Sequence, residues 1–289
     1  MKTSWGNVAG WYDEMLEGQD GRELDGARRE TYQSALILPN LIRVLSPQRG
    51  ETILDIACGQ GFFSREIAKK IAKTGGHVIA SDIADELITL ARTHPDPISK
   101  DIDYHISSAD KLDFCPSESV SAAVIILALQ NIENIFGVFQ ECARVLISAG
   151  KNSNRDINNG RLVIVLNHPA FRIPKHSSWQ WDEAGHTQYR RIDAYMSDSR
   201  ERIDMNPGAL AQGMKKGKNE KNNAVKNSTI SFHRPLQVYF KALAKAGFAV
   251  TRLEEWVSHK QSAAGPRAIE ENRIRKEIPM FLMIEAKKF

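Results

Sequence analysis

The chain has 289 residues, 42% of them hydrophobic and 26% charged, with a formal net charge of +4. That balance is ordinary for a globular protein, and the length can bury a substantial core in a single domain. No apolar run approaches the roughly 20 residues needed to cross a bilayer, and the opening MKTSWGNVAGWYDEMLEG is acidic and polar rather than a signal peptide.

The three cysteines (Cys58, Cys115, Cys142) lie far apart, without a C-x-x-C pair or a histidine at zinc spacing. Reduced thiols in a cytoplasm are expected, with no disulfide framework and no metal site.

Residues 1–48 read as N-terminal helices. From about residue 50, strand and helix signals alternate, the pattern of a doubly wound α/β sheet covered on both faces. Residues 51–57 (ETILDIA) are a strand ending in the turn Cys58-Gly59-Gln60-Gly61, and 62–72 are a helix. Strand 77–81 closes on Asp82 and helix 85–92 follows. Strands 103–107 and 121–127 come next, then helix 136–146 and strand 161–166. The segment 151–159 (KNSNRDINN) is too polar to pack and reads as a surface insertion. Residues 167–234 have weak periodicity and read as an irregular cap containing a lysine-rich loop, 214–226. Helix 235–246, with Gly247 as its C-cap, and strands 248–256 and 280–287, separated by a turn-rich spacer, complete a single domain. The lysines of the loop have no aromatics among them, which argues against nucleic acid as a partner and for a solvated surface.

The stretch Ile53-Leu54-Asp55-Ile56-Ala57-Cys58-Gly59-Gln60-Gly61 carries the chemistry. Glycines between a strand and a helix let backbone N–H groups approach a ligand. An acid inside the strand is costly to bury without a partner, and a ligand's cationic amino group would be one. Asp82, about twenty residues after Gly61, can accept from both hydroxyls of a ribose. Asp110, after the third strand, could hold an exocyclic amine. Such acids at strand ends line the crevice in which open α/β sheets bind ligands. A dinucleotide-binding domain is the alternative; it wants a third glycine where Ser64 stands and leaves Asp55 unexplained.

With these motifs the chain resembles the class I (Rossmann-like) S-adenosylmethionine-dependent methyltransferases. LDIACGQGFFSREIA is similar to the first motif of that family, SDIADELITLAR to its second-strand motif, SSADKLDF to its adenine-binding stretch, and ECARVLISAG to the segment before strand five. The resemblance implies a seven-stranded, mostly parallel sheet of order 3-2-1-4-5-7-6 with strand seven antiparallel, a helical N-terminal lid and a cap after strand five. It implies S-adenosylmethionine as donor. Asp55, Ala57, Cys58, Gly59 and Gly61 would hold the methionine end, and Asp82 and Ile83 the ribose. Ala109, Asp110 and Lys111 would meet the base, with Leu127 and Ala128 beside the sulfonium. Ser148-Ala149-Gly150 replaces the usual Pro-Gly-Gly, and no D/N-P-P-Y/F tetrad is present.

VAGWYD (8–13) is similar to the lid of small-molecule methyltransferases, so Trp11 would face the acceptor and Tyr12 the donor. Asn167-His168-Pro169 and His233-Arg234-Pro235 look like stretches of quinone, sterol or natural-product enzymes. Aromatics interleaved with arginines suit a flat or anionic small acceptor, lined by His176, Trp179, Tyr189, Arg190 and Arg234. His233 and His168 are the candidate general bases, His233 first because Arg234 and Pro235 would fix it at a helix start. The expected function is methyl transfer to O, N or C of a small molecule. Two alternatives stay open: an RNA or protein methyltransferase using the lysine-rich loop, and a donor-binding protein without catalysis.

Overall fold

The computed structural model describes residues 5–6, 9–10, 30–148, 160–204 and 228–289. The lysine-rich loop and the 151–159 insertion lie outside the described residues.

A π-helical turn, Gln33–Ile37, runs into α1 (Leu38–Leu45). The doubly wound unit follows: β1 (Thr52–Ile56), α2 (Phe62–Ile71), β2 (His77–Asp82), α3 (Asp85–Thr93), β3 (Ile102–Ile106), β4 (Ala122–Ile126), α4 (Ile135–Val145) and β5 (Arg161–Asn167). Beyond the cap come α5 (Leu236–Lys245), β10 (Phe248–Trp256), α6 (Ala268–Glu277) and β11 (Phe281–Lys288). The sheet order is β10-β11-β5-β4-β1-β2-β3. Strand β11 enters antiparallel between β5 and β10, pairing Phe281 with Asn167 and Lys287 with Arg161. This is the order and the single reversed strand that the resemblance implies.

Side chains of a strand alternate between the two faces of a sheet. In β1, Leu54 and Ile56 join a core with Phe139 of α4 and Tyr239 of α5. Ile53 faces the other way, into a core with Leu41 of α1 and Ile67 of α2. Asp55 shares that second face with Ile53. The β1–β2 register puts Asp55 opposite Ala80, so Asp82, two residues further on, projects from the same face of the sheet.

Two sequence expectations are corrected. The described part of the cap is not irregular: β6 (Ser177–Asp182) pairs with β7 (Thr187–Ile192), and β8 (Ser199–Asp204) with β9 (Ser228–His233). The first hairpin is largely exposed, so it shows no apolar alternation; it sets Trp179 opposite Arg190 and Gln180 opposite Tyr189. The spacer before the last strand contains α6, whose only buried residue is Ile274. Its support is the ion-pair chain of Arg273 with Glu270 (2.7 Å) and Glu277 (2.5 Å). A helix held by i,i+3 and i,i+4 charges has no apolar stripe to read in sequence.

The sheet edge opposite the strand tips is locked by Arg161. Its Nη1 and Nη2 donate to the two carboxylate oxygens of Glu51 at 2.6 and 2.8 Å, and its Nε and Nη2 reach Leu45 O at 3.1 and 2.8 Å. Glu51 is fully buried, so the pair joins α1, β1 and β5 away from water. Removing one partner of such a pair leaves a buried charge alone, at a cost of about 3–5 kcal/mol. Arg161→Met is expected to lose that much in urea denaturation; a loss under about 1 kcal/mol would show the pair to be dispensable.

Candidate functional site

The tips of β1, β2 and β4 meet at one cleft, lined among others by Asp55, Asp82, Ile83 and Leu127. Beyond Ile56 the chain turns through Ala57, Cys58 and Gly59 to Gly61, which opens α2. Gly61 has φ +82, and a Cβ there would sit 2.6 Å from Tyr104 Oη. Arg65 braces the turn, donating from Nη1 to Gln60 O at 2.7 Å and from Nη2 to Gln60 Oε1 at 2.9 Å. Ala57 (φ 58) and Leu127 (φ 54) are left-handed although they are not glycines, and both line the cleft. Each such residue costs roughly 1–2 kcal/mol, and strain of this kind gathers at ligand sites.

Asp55 is 1% exposed, and its Oδ2 accepts a hydrogen bond from Ser64 Oγ at 2.6 Å. Burial pushes its pKa up to about 7, against the lowering effect of Ser64, and the charge of Asp82 adds to the rise. Asp82 accepts from Gly59 N–H and Ala84 N–H, both at 2.9 Å. Burial raises its pKa too, opposed by those backbone donors. The Ile83 N–H is a third backbone donor to this carboxylate, whose two oxygens together offer about four acceptor sites. Neither acid has a cationic partner among the described residues. Two desolvated carboxylates facing one cavity fit a ligand with a cation and neighbouring hydroxyls.

Besides the two acids, the structure brings Ala57, Cys58, Gly59, Ile83, Leu127 and Ala128 to this cleft. Burial holds the Cys58 thiol well above its ordinary pKa, which keeps it a neutral wall. Gly61 stands behind the turn rather than in the lining. The residues expected at the base do not reach the cleft. Ala109 packs in the core beside Leu129. Asp110 accepts from Ser108 Oγ and, at 2.8 Å, from Asn134 Nδ2. Asn134 in turn caps α4 through Gly137 N–H (3.0 Å), so Asp110 buttresses a helix cap. Its pKa falls, chiefly through Ser108. The Lys111 side chain is 73% exposed, beside Asp113.

A second, wider cavity of about 1100 Å³ shares Trp5, Leu127 and Asn131 with the first. Arg172 and Arg190 stand on its far wall, with Asn167, Ser177 and Ser231. Of the expected acceptor residues, only Arg190 lines it. Trp179 lies under the Arg190 guanidinium, 5.0 Å from ring centroid to Cζ, and Tyr189 Oη donates outward to Gln180 Oε1 at 2.8 Å. His176 fixes the start of the first hairpin through its backbone, with its N–H on Ile173 O and its carbonyl accepting from Asp193.

The two candidate bases line neither cavity. His168 is buried; its Nε2 lies 2.7 Å from Glu255 Oε1 and its Nδ1 accepts Ala170 N–H at 3.2 Å. Both ring nitrogens therefore hold the chain together. Burial lowers the His168 pKa, and Glu255 opposes that shift. His233 donates from Nε2 to Tyr195 O at 2.8 Å and faces a small neighbouring pocket. Arg234 donates from Nη2 to Ile132 O and Glu133 O at 3.0 and 2.7 Å, tying β9 to the start of α4. Trp11 and Tyr12 lie outside the described residues. Trp5, which the sequence reading does not select, sits where both cavities meet, and nearby Ala9 packs on Ala84 and Leu87.

Residues 53–150 match the family described as "Methyltransferase domain". The ubiquinone biosynthesis O-methyltransferase of Xanthomonas oryzae pv. oryzae is 31% identical over 102 residues, which are 35% of this chain and 41% of that one. The chain thus matches about two fifths of the length of that curated relative. An S-adenosylmethionine-dependent methyltransferase from Mesorhizobium loti superposes with a TM-score of 0.58 at 23% identity, over 86% of this chain and 96% of its own. The [4+2]-cyclase SpnF superposes with a TM-score of 0.57 at 15% identity, over 99% and 97%. Residues 53–150 are thus similar to a methyltransferase domain, and the sheet order and superpositions show that the chain shares the class I, Rossmann-like methyltransferase fold. The domain match covers the cleft-forming core, from β1 to the end of α4.

The raised pKa of Asp55 links stability to pH. Its folded value of about 7 lies above the ordinary 3.8, so the folded empty protein binds that proton more tightly than the unfolded chain does. The contribution is complete below about pH 4 and is lost as pH rises through about 7. Asp55→Asn escapes that loss. In urea titrations its stability relative to wild type is expected to improve by about 2–4 kcal/mol between pH 4 and pH 8. A gap between the two proteins that does not change with pH would contradict the buried-acid reading.

Proposed function

We propose that the protein transfers a methyl group from S-adenosylmethionine to a small-molecule acceptor. The observation that carries this is the pair of buried acids, Asp55 and Asp82, on one face at the tips of adjacent strands and without a cationic partner among the described residues. Asp55 would hold the donor's ammonium group, and Asp82 its ribose hydroxyls. Phe63, Leu87 and Ile132 supply apolar walls. When bound, the donor supplies an electrophilic methyl group that leaves its own neutral thioether behind.

The chain's part is then positioning and exclusion of water. Leu127 and Asn131, common to both cavities, stand at the junction where donor and acceptor would meet. Neither His168 nor His233 lines the acceptor cavity, so we read both as structural and assign no general base. The relative's name, an O-methyltransferase of ubiquinone biosynthesis, supports a small acceptor. The RNA or protein alternative rests on loop 214–226, outside the described residues. A cytoplasmic setting belongs to the same proposal, on the free thiols of Cys58, Cys115 and Cys142. Among the described residues no helix is long and apolar enough to cross a membrane.

Isothermal calorimetry is expected to show micromolar binding of S-adenosylmethionine, weakened by about 1–3 kcal/mol in Asp82→Ala, the range for leaving polar partners unpaired. Labelled donor incubated with a metabolite fraction is expected to label small molecules. An affinity untouched by Asp82→Ala, or label found only in RNA or protein, would overturn the proposal.

A further inference from the structure

The wall between the acceptor cavity and the pocket behind it is made by Arg172 and Arg190. Arg172 follows β5; its Nη1 donates to Asn167 Oδ1 at 2.6 Å and its guanidinium lies 5.4 Å over the Phe281 ring. Arg190, on β7, donates from Nε to Phe171 O and from Nη2 to Ser177 Oγ, both at 2.7 Å, and stacks on Trp179. These bonds fix both planes yet leave N–H groups on each without a protein acceptor among the described residues. Arg275 faces the rear pocket, donating from Nε to Ser262 Oγ at 3.1 Å.

No Asp or Glu among the described residues lines either cavity. Among the described residues, none of the three arginines has a carboxylate within ion-pair distance, although Arg161, Arg144 and Arg273 all do. Half-buried like charges held side by side without an acid are unfavourable in the empty protein. Burial lowers the pKa of both Arg172 and Arg190, and for Arg172 the Arg190 charge adds to the fall. An arginine kept only for packing would be expected to find a carboxylate or to reach water. This pair is instead oriented by neutral oxygens and aromatic faces, an arrangement that preserves its charge for a ligand.

We infer that the acceptor is an anion: a small molecule whose carboxylate or phosphate group seats on Arg172 and Arg190 while its body reaches toward Leu127 and the donor cleft. The word acceptor rests on the methyltransferase reading; the anion site does not. The planar guanidinium forks match either oxyanion. Leu127, Ile173 and Ile203 give the same cavity an apolar side for the rest of the molecule.

The test is calorimetry on the full chain with three probes: pyrophosphate, 4-hydroxybenzoate and the neutral 4-hydroxybenzamide. At least one anion is expected to bind with Kd below about 1 mM, to weaken about tenfold in Arg190→Gln, and to weaken further in Arg172→Gln/Arg190→Gln. Binding by pyrophosphate alone assigns a phosphoester, and binding by 4-hydroxybenzoate alone a carboxylate. S-adenosylmethionine titrated into the same variants is the control, because neither arginine touches the donor cleft. Arg190 stands on an exposed hairpin, so its variant stays informative if the Arg172 change perturbs folding. The inference falls if neither anion binds, if both bind the Arg190 variant as well as wild type, or if the neutral amide matches the benzoate. Anion binding lost in the variants, in a protein that never binds the donor, would keep the anion site and sink the methyltransferase reading instead.

Discussion

Two buried acids, with no basic residue to answer them among the described residues, set the terms for this molecule. Asp55 and Asp82 are brought together by the register of two parallel strands and are both buried. Ser64 addresses Asp55, and the backbone amides of Gly59, Ala84 and Ile83 address Asp82. Those donors orient the carboxylates without neutralising them. The fold is therefore less stable at this corner than it would be with neutral side chains, a common signature of a site whose last partner comes from outside.

The rest of the cleft follows from that corner. Ala57 and Leu127 take left-handed turns at the tips of β1 and β4, and Arg65 stiffens the glycine turn between them and α2. The second cavity repeats the theme with the opposite sign: Arg172 and Arg190 are positioned by neutral groups and have no acid partner among the described residues. A buried negative pocket beside a positive one fits a cationic donor and an anionic acceptor meeting over Leu127. The fold alone decides none of this, since a [4+2]-cyclase shares it.

The corner that holds both acids was legible in sequence because its signal is local. Asp55 lies in the same strand as the turn it precedes, and Asp82 closes the next strand, so strand and glycine patterns locate both. The sheet order came with the motifs. Partners distant in the chain stayed hidden. The sequence could not show that Glu255, 87 residues from His168, and Tyr195, 38 residues from His233, engage their rings. Asp110 resembles a ligand contact until Asn134 claims it. Arg190 could be picked from composition, but its pairing with Arg172 needs the hairpin to fold back on β5. The hairpin and α6 escaped because exposed strands and charge-laced helices carry no apolar rhythm.

If the ammonium of S-adenosylmethionine completes Asp55, binding must drive a proton off that acid. Calorimetric titrations at pH 6.5 in buffers of different ionisation enthalpy count the protons released. At that pH the donor's α-amino group is charged and Asp55 in the empty protein is largely protonated. Release of roughly half a proton or more per donor bound, abolished in Asp55→Asn, is the predicted result. Binding with no proton exchange in either protein would contradict it.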